Sequence, residues 1–418
     1  MEQRLRPPPK IGQTRSFAWL PKIHGIGDYI VPLAATLSIQ SLVSMAAVTV
    51  PVFAPVAASE IGIPATYVGI YVALIYIGAV ISSLPSGGLV LRRGAIRVSQ
   101  GCLVLCTIGL AMTATSWLPM IAIGALIIGF GYGPVTPSSS HILVGKTPPH
   151  LMSLTFSLKQ TGVPLGGAMA GAIVPPLVLY VGWKGAALFV GGLCLILALF
   201  VQWTRDRLDS DCQTDSSLPS HSLTGPLKMV FSNRAILQLA IVSFFYAAMQ
   251  LSLITYLVTY LTKDFGMTLI AAGLALSTAM TAGIAARIVW GAMASRLVRP
   301  RLMLGLLGVS MSVAAGATAL LNPSWPHAAV MIVSALFGAT AISWNGLYLA
   351  EVARLAPSGK AGVATGGTLF FTFSGVVVGP AVFGLIVTAT GSYPVGFVSF
   401  AIVTFICGLV LMVQRERG

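Results

Sequence analysis

Two cations stand in apolar sequence, where charge is costly. Arg287 lies in GIAARIVWGAMASR and Lys159 in SLKQTGVPLGG. A charge at the bilayer centre costs about 3 kcal/mol or more, so such residues mark pathways or pairs. A guanidinium offers a planar fork of donors matched to a carboxylate, and an ammonium offers a point charge. Only one acid, Glu351, falls within an apolar segment. One acid against two cations leaves the interior positive, which favours an anionic substrate. Glu351 reads as a latch to Arg296 or Arg299, as a partner of Arg287, or as a proton carrier. Lys159 either faces the substrate or snorkels to the headgroups. His141 follows a run of hydroxyls, Ser138 to Ser140. An imidazole titrates near neutral pH, so His141 is a second proton candidate, or a hydrogen-bonded helix end. Gln160, Gln250, Tyr132, Trp344, Asn345 and Tyr348 are polar side chains that either line a pocket or join helices.

These residues must be positioned by membrane-spanning elements. The 418-residue chain is 56% hydrophobic and 8% charged, against roughly 25% charged in ordinary domains. Its apolar runs are long enough to cross a hydrocarbon core of about 30 Å as helices. They lack the period-2 alternation of a membrane barrel. Twelve spans are expected, centred on Leu42, Ile75, Cys106, Ala125, Met169, Leu193, Met249, Thr278, Ser312, Leu336, Val378 and Phe405. The N-terminal stretch has no compact apolar core before a cleavage site and reads as a cytoplasmic tail.

A shift of 204 positions brings the chain onto itself. Gly62 falls on Gly266, Gly69 on Gly273, Gly87 on Gly291, Arg92 on Arg296, Arg97 on Arg301 and Glu60 on Asp264. Two copies of one six-helix unit follow, in the same direction. Arg287 breaks the symmetry, because its counterpart is Ser83. The expected organisation is a cytoplasmic tail at 1–28, a first bundle at 29–204, a polar linker at 205–234 and a second bundle at 235–418.

The formal charge of +14 does not call for nucleic acid. With the N-terminus inside, every Lys and Arg except Lys159, Lys184, Lys263 and Arg287 falls in a cytoplasmic segment. This is the positive-inside bias, with both termini cytoplasmic. The five cysteines, Cys102, Cys106, Cys194, Cys212 and Cys407, read as small apolar fillers rather than disulfides or metal ligands. Pro134, Pro137 and Pro164 free backbone carbonyls, which is tolerated at membrane depth only against protein or a water-filled cavity. The segments around them are therefore expected to face an interior.

Two six-helix halves, a central loop and a glycine-led basic loop after spans two and eight resemble the major facilitator superfamily. The loop copies are Gly87, Leu91, Arg92, Gly94, Ala95 and Gly291, Ser295, Arg296, Val298, Arg299. Gly and Arg match the family signature, and both acids are absent. The run from Gly162 to Gly167 is similar to the fifth-helix antiporter signature, with one residue displaced. The resemblance implies that helices five and eight face each other across a central cavity. It also implies that Gly87, Arg92, Gly94, Gly291, Arg296 and Arg299 form gating loops. An arginine in helix eight is similar to monocarboxylate and oxalate/formate branches, whose lysine lies in helix one or eleven, where this chain has none.

The expected fold is all-α, with twelve transmembrane helices in two pseudo-symmetric bundles. The expected function is secondary active transport of a small organic anion, a carboxylate, by alternating access. A coupling proton is the only cofactor envisaged, and the expected form is a monomer in a bacterial inner membrane, in contact with lipid and not nucleic acid. The alternatives are a drug or metabolite efflux antiporter and a non-transporting receptor. No HExxH, GxSxG or P-loop motif points to an enzyme.

Overall fold

A computed structural model describes residues 27–147, 152–209, 224–296, 299–357 and 361–413. The described residues are helical with no strand. α1 is Gly27–Ile61, α2 Val68–Arg93 and α3 Ala95–Thr113. α4 runs in two pieces, Leu118–Tyr132 and Val135–Lys146. α5 begins as Met152–Gln160 and continues through 162–181, and α6 covers 183–200. α7 is Arg234–Lys263, α8 Leu269–Arg296 and α9 Pro300–Ala319. α10 is again in two pieces, His327–Ala341 and Asn345–Leu355. α11 is Ala361–Thr390 and α12 is Tyr393–Val413. Each of the twelve expected centres falls within one of these helices.

Among the described residues, eleven apolar helical runs are long enough to cross a membrane, because α5 and α6 join in one run of 51 residues. At 1.5 Å per residue that run would measure roughly 77 Å, beyond any bilayer. It turns at Gly182, where φ is +72° and ψ is 169°. The reversal shows in the packing on α1. Gly162 lies against Leu37 and Gln40, while Cys194 lies 3.9 Å from the Leu42 carbonyl. An αL-side backbone carries little penalty only for glycine.

The breaks in α4 and α10 are pseudo-symmetric. In α4 the break lies beside Pro134, which cannot donate to the carbonyl four residues earlier. In α10 residues 342–344 form an irregular turn. α1 and α7, also related by the repeat, are the most enclosed helices, with 89% and 83% of their best apolar windows buried. For α4, for the run that joins α5 and α6, and for α12 the figure is 39%. α1 and α7 therefore form the axis, and these others lie further out.

The repeat is physical as well as textual. Gly62 and Gly266 both have positive φ, +81° and +61°. Gly69 of α2 meets the Pro380 carbonyl of α11, and its repeat mate Gly273 of α8 meets Gly171 and Pro175 of α5. Symmetry-related glycines thus make symmetry-related contacts between the halves, because small residues let backbones approach.

An even number of spans puts both helix-bundle ends and the linker on one face, called here the linker face. At the opposite face the halves are fastened. The Tyr256 hydroxyl donates toward the Pro380 carbonyl at 2.8 Å and the Thr66 carbonyl at 3.0 Å. Thr66 and Thr388 hydroxyls lie 2.9 Å apart. At the linker face Gly87 is exposed, and a Cβ there would meet nothing within 4 Å. Gly94 is different. It holds φ +90°, and the Asp209 carboxylate occupies the place a Cβ would take. Asp209 accepts from the Ile96 N–H at 2.8 Å and the Arg97 N–H at 3.2 Å. A carboxylate from the start of the linker therefore caps α3.

Candidate functional site at the α5, α8 and α10 junction

α8 carries Gly283, Arg287 and Trp290 at helical spacing, so one face presents all three. That face rests on the broken part of α10. A Cβ on Gly283 would lie 2.7 Å from Ile342 Cβ. Trp290 Nε1 donates to the Ala339 carbonyl at 3.0 Å. Arg287 Nη2 donates to the Ile342 carbonyl at 2.9 Å. The α10 turn supplies these acceptors because its carbonyls lack regular helical partners.

The other end of the guanidinium reaches the first half. Pro164 has no N–H, so the Gln160 carbonyl loses its helical donor. Arg287 Nη1 donates to it at 3.1 Å. One side chain therefore bridges α5 in the first half to α8 and α10 in the second. Arg287 Nε is buried without a partner. Arg287 and Gln160 stay partly exposed.

Lys159 is 1% exposed. Its ammonium donates to Gln160 Oε1 at 3.4 Å, a long contact. Burial of this depth excludes snorkelling to the headgroups. Among the described residues, neither Lys159 nor Arg287 forms an ion pair.

Glu351 is fully buried and is held by Arg354 on the next turn. Nε donates to Oε2 and Nη2 to Oε1, both at 2.8 Å. This bidentate fork stands where Arg287 or Arg299 was expected. Arg287 is committed to carbonyls, Arg299 is exposed, and the Arg296 side chain lies outside the described residues. Spacing of i,i+3 on one helix brings Arg354 to the acid without help from another element.

Gln250, Trp344 and Asn345 form one polar node. Gln250 Oε1 accepts from Trp344 Nε1 at 3.0 Å and Asn345 Nδ2 at 3.2 Å. The node ties α7 to the α10 turn, two and three residues beyond the Arg287 acceptor Ile342. Tyr348 packs on Trp344 with ring centroids 5.5 Å apart. Its hydroxyl has no closely matched partner, although Ser243, Thr368 and Thr372 surround it. Tyr132 lies apart from this node, edge-on to Tyr76 at 5.5 Å. His141 is partly buried and engaged by a partner. Of the gating-loop residues, Arg92 is exposed and also engaged. Gly291 lies in α8, and its surroundings are outside the described residues.

Three contributors were missed from sequence. Gln40 of α1 is 1% exposed, and its Oε1 accepts from Thr136 Oγ1 at 3.4 Å. An amide inside the apolar run LSIQSLVSM was a legible signal. Trp290 and Arg354 were not, since an indole and a helix-end arginine fit many roles. An apolar crevice of about 840 Å³, including its mouth, lies near the opposite face between α1, α2 and the α3–α4 turn. None of the polar residues above lines it.

The major facilitator superfamily model matches residues 36–380. The hexuronate transporter of Bacillus subtilis (strain 168) is 22% identical over 220 residues, covering 51% of this chain and 52% of that protein. The probable anion transporter 7 of Oryza sativa subsp. japonica is 30% identical over 129 residues, covering 30% of this chain and 29% of that protein. The multidrug efflux pump Tap of Mycolicibacterium fortuitum is 31% identical over 111 residues, covering 23% of this chain and 27% of that protein. The chain thus spans about half the length, or less, of the curated relatives it matches. Among known structures, the nucleoside transporter NupG aligns with TM-score 0.74 at 16% identity, covering 91% of this chain and 100% of that one. A bacterial homolog of the human lysosomal transporter Spinster, inward-facing and occupied, aligns at 0.73 and 15%, covering 93% and 96%. The fold, the internal repeat and the family match agree, and the chain is a multi-pass membrane protein belonging to the major facilitator superfamily.

Proposed function

We propose that this chain moves a small organic anion, a carboxylate, by alternating access, with Arg287 as the first anion contact and Lys159 beside it. One observation carries the reading. The buried Glu351 is already neutralised by Arg354, so the two membrane cations retain no carboxylate among the described residues. A buried cation without a partner is costly, and a bound anion offsets that cost. The names of two partial relatives, a hexuronate transporter and an anion transporter, support the same class. The partial match to a multidrug efflux pump supports an export reading of the same fold. Export of cationic drugs fits less well, because the acid buried among the described membrane residues, Glu351, is already held by Arg354.

A thermal-shift screen of purified protein in detergent separates these readings. Carboxylates are expected to raise the melting temperature in proportion to log concentration, as ligands that bind only the folded state do. Stabilisation by cationic drugs or neutral sugars alone would sink the anion reading. A coupling proton is proposed at His141. Uptake into liposomes should then rise with an imposed inward pH gradient, and uptake indifferent to that gradient would remove the coupling.

The Lys and Arg distribution supports cytoplasmic termini, and the proposed form is a monomer in a bacterial inner membrane. A single cysteine introduced at Gly418 should react with an impermeant reagent only after lysis. Labelling of intact cells would reverse the orientation.

A further inference from the structure

Two sets of donors meet at the junction of the halves, and among the described residues neither holds a counter-charge. In the second half, Arg287 donates to two carbonyls and keeps a buried Nε without a partner. In the first half, Lys159 has one long contact. Gln40, from α1, adds an amide whose Nε2 is buried and unpartnered. Gln40 meets α5 at Gly162, where a Cβ would lie 3.0 Å from Gln40 Cβ and Cγ. Lys159 stands three residues before Gly162 across the break at Thr161, on the short Met152–Gln160 piece of α5, which also packs on α1. Gln160 joins the sets, since its carbonyl takes Arg287 and its side chain takes Lys159.

We propose that the substrate is a dicarboxylate, with one carboxylate on Arg287 in the second half and the other on Lys159 and Gln40 in the first. This rests on the anion reading above and narrows it. A monocarboxylate would neutralise one buried cation and leave the other alone. A single compact dianion would put both charges at one end. Two separated carboxylates satisfy both cations and give the idle Gln40 donor an acceptor, and unmade buried donors are costly. Such a molecule also bridges the halves, so its binding favours the conformation in which the two sets are close.

The test is binding to the purified full-length protein in nanodiscs, by calorimetry. The probes are unbranched dicarboxylates of two to six carbons, monocarboxylates of the same lengths, and inorganic phosphate. The best dicarboxylate is expected to bind at least about 30-fold more tightly than its monocarboxylate match, the loss typical of one charge-assisted contact. Lys159→Met and Gln40→Leu should each reduce that ratio, Lys159→Met to within about 3-fold, while Lys159→Arg retains most of it. Unchanged elution and melting of Gln40→Leu protein guard against a folding artefact in Lys159→Met. Equal affinity for matched mono- and dicarboxylates overturns the proposal and leaves the anion reading standing. So does a preference that survives Lys159→Met, or tighter binding of phosphate than of any dicarboxylate. Binding of none of the anions overturns both.

Discussion

Arg287→Ala should lower substrate affinity by about 30-fold to several thousand-fold, the cost of roughly 2–5 kcal/mol for losing a buried charge-assisted contact. The same change leaves the Gln160 and Ile342 carbonyls without the donors they have at 3.1 and 2.9 Å. Each orphaned acceptor costs about 1–3 kcal/mol unless water reaches it. Arg287→Lys keeps the charge but replaces a planar fork by a single ammonium. It cannot hold both carbonyls and a carboxylate together, so it should recover only part of the affinity. Pairing Arg287→Ala with Glu351→Gln should bring no rescue, because Glu351 is already bound by Arg354. Titration of each variant with the best ligand from the screen, alongside its melting curve, checks all three statements. Wild-type affinity in Arg287→Ala protein would end the anion-site reading.

The second large effect concerns stability. Arg354→Ala would leave the Glu351 carboxylate fully buried with its two 2.8 Å donors gone. Breaking a buried pair from one side costs about 3–5 kcal/mol. About half of the Arg354 side chain is exposed, so water repays some of this and the lower end, about 3 kcal/mol, is expected. The melting temperature should fall by several degrees. Adding Glu351→Gln to Arg354→Ala removes the stranded charge and should restore most of the loss. A double variant that melts no higher than Arg354→Ala would show that the pair does not act as a unit.

The twelve helices were legible because each is a local property. About 20 apolar residues cross a bilayer as a helix whatever surrounds them, so composition along the chain suffices. The repeat was legible for a similar reason. Gly62 and Gly266 recur at equivalent turns because only glycine holds a positive φ there without strain. The breaks in α4 and α5 were written in Pro134 and Pro164, since a missing N–H is a covalent fact. Even Gly283 and Arg287 could be placed on one helix face from spacing alone.

Partners were not legible. Glu351 had several cations within reach in sequence terms, and the choice of Arg354 over Arg287 depends on where each side chain lies once the helices have packed. Arg287 was already committed, because Pro164 in the other half exposes a carbonyl 127 residues away from it and the α10 turn exposes a second. The Asp209 carboxylate beside Gly94 is another such case, a linker residue capping a helix 113 positions earlier. From its sequence alone this protein is a twelve-span membrane protein made of two copies of one unit, with two buried cations against one buried acid. Only the tertiary structure decided which charges cancel, because ion pairing acts over a few ångströms between groups whose separation the chain order does not encode.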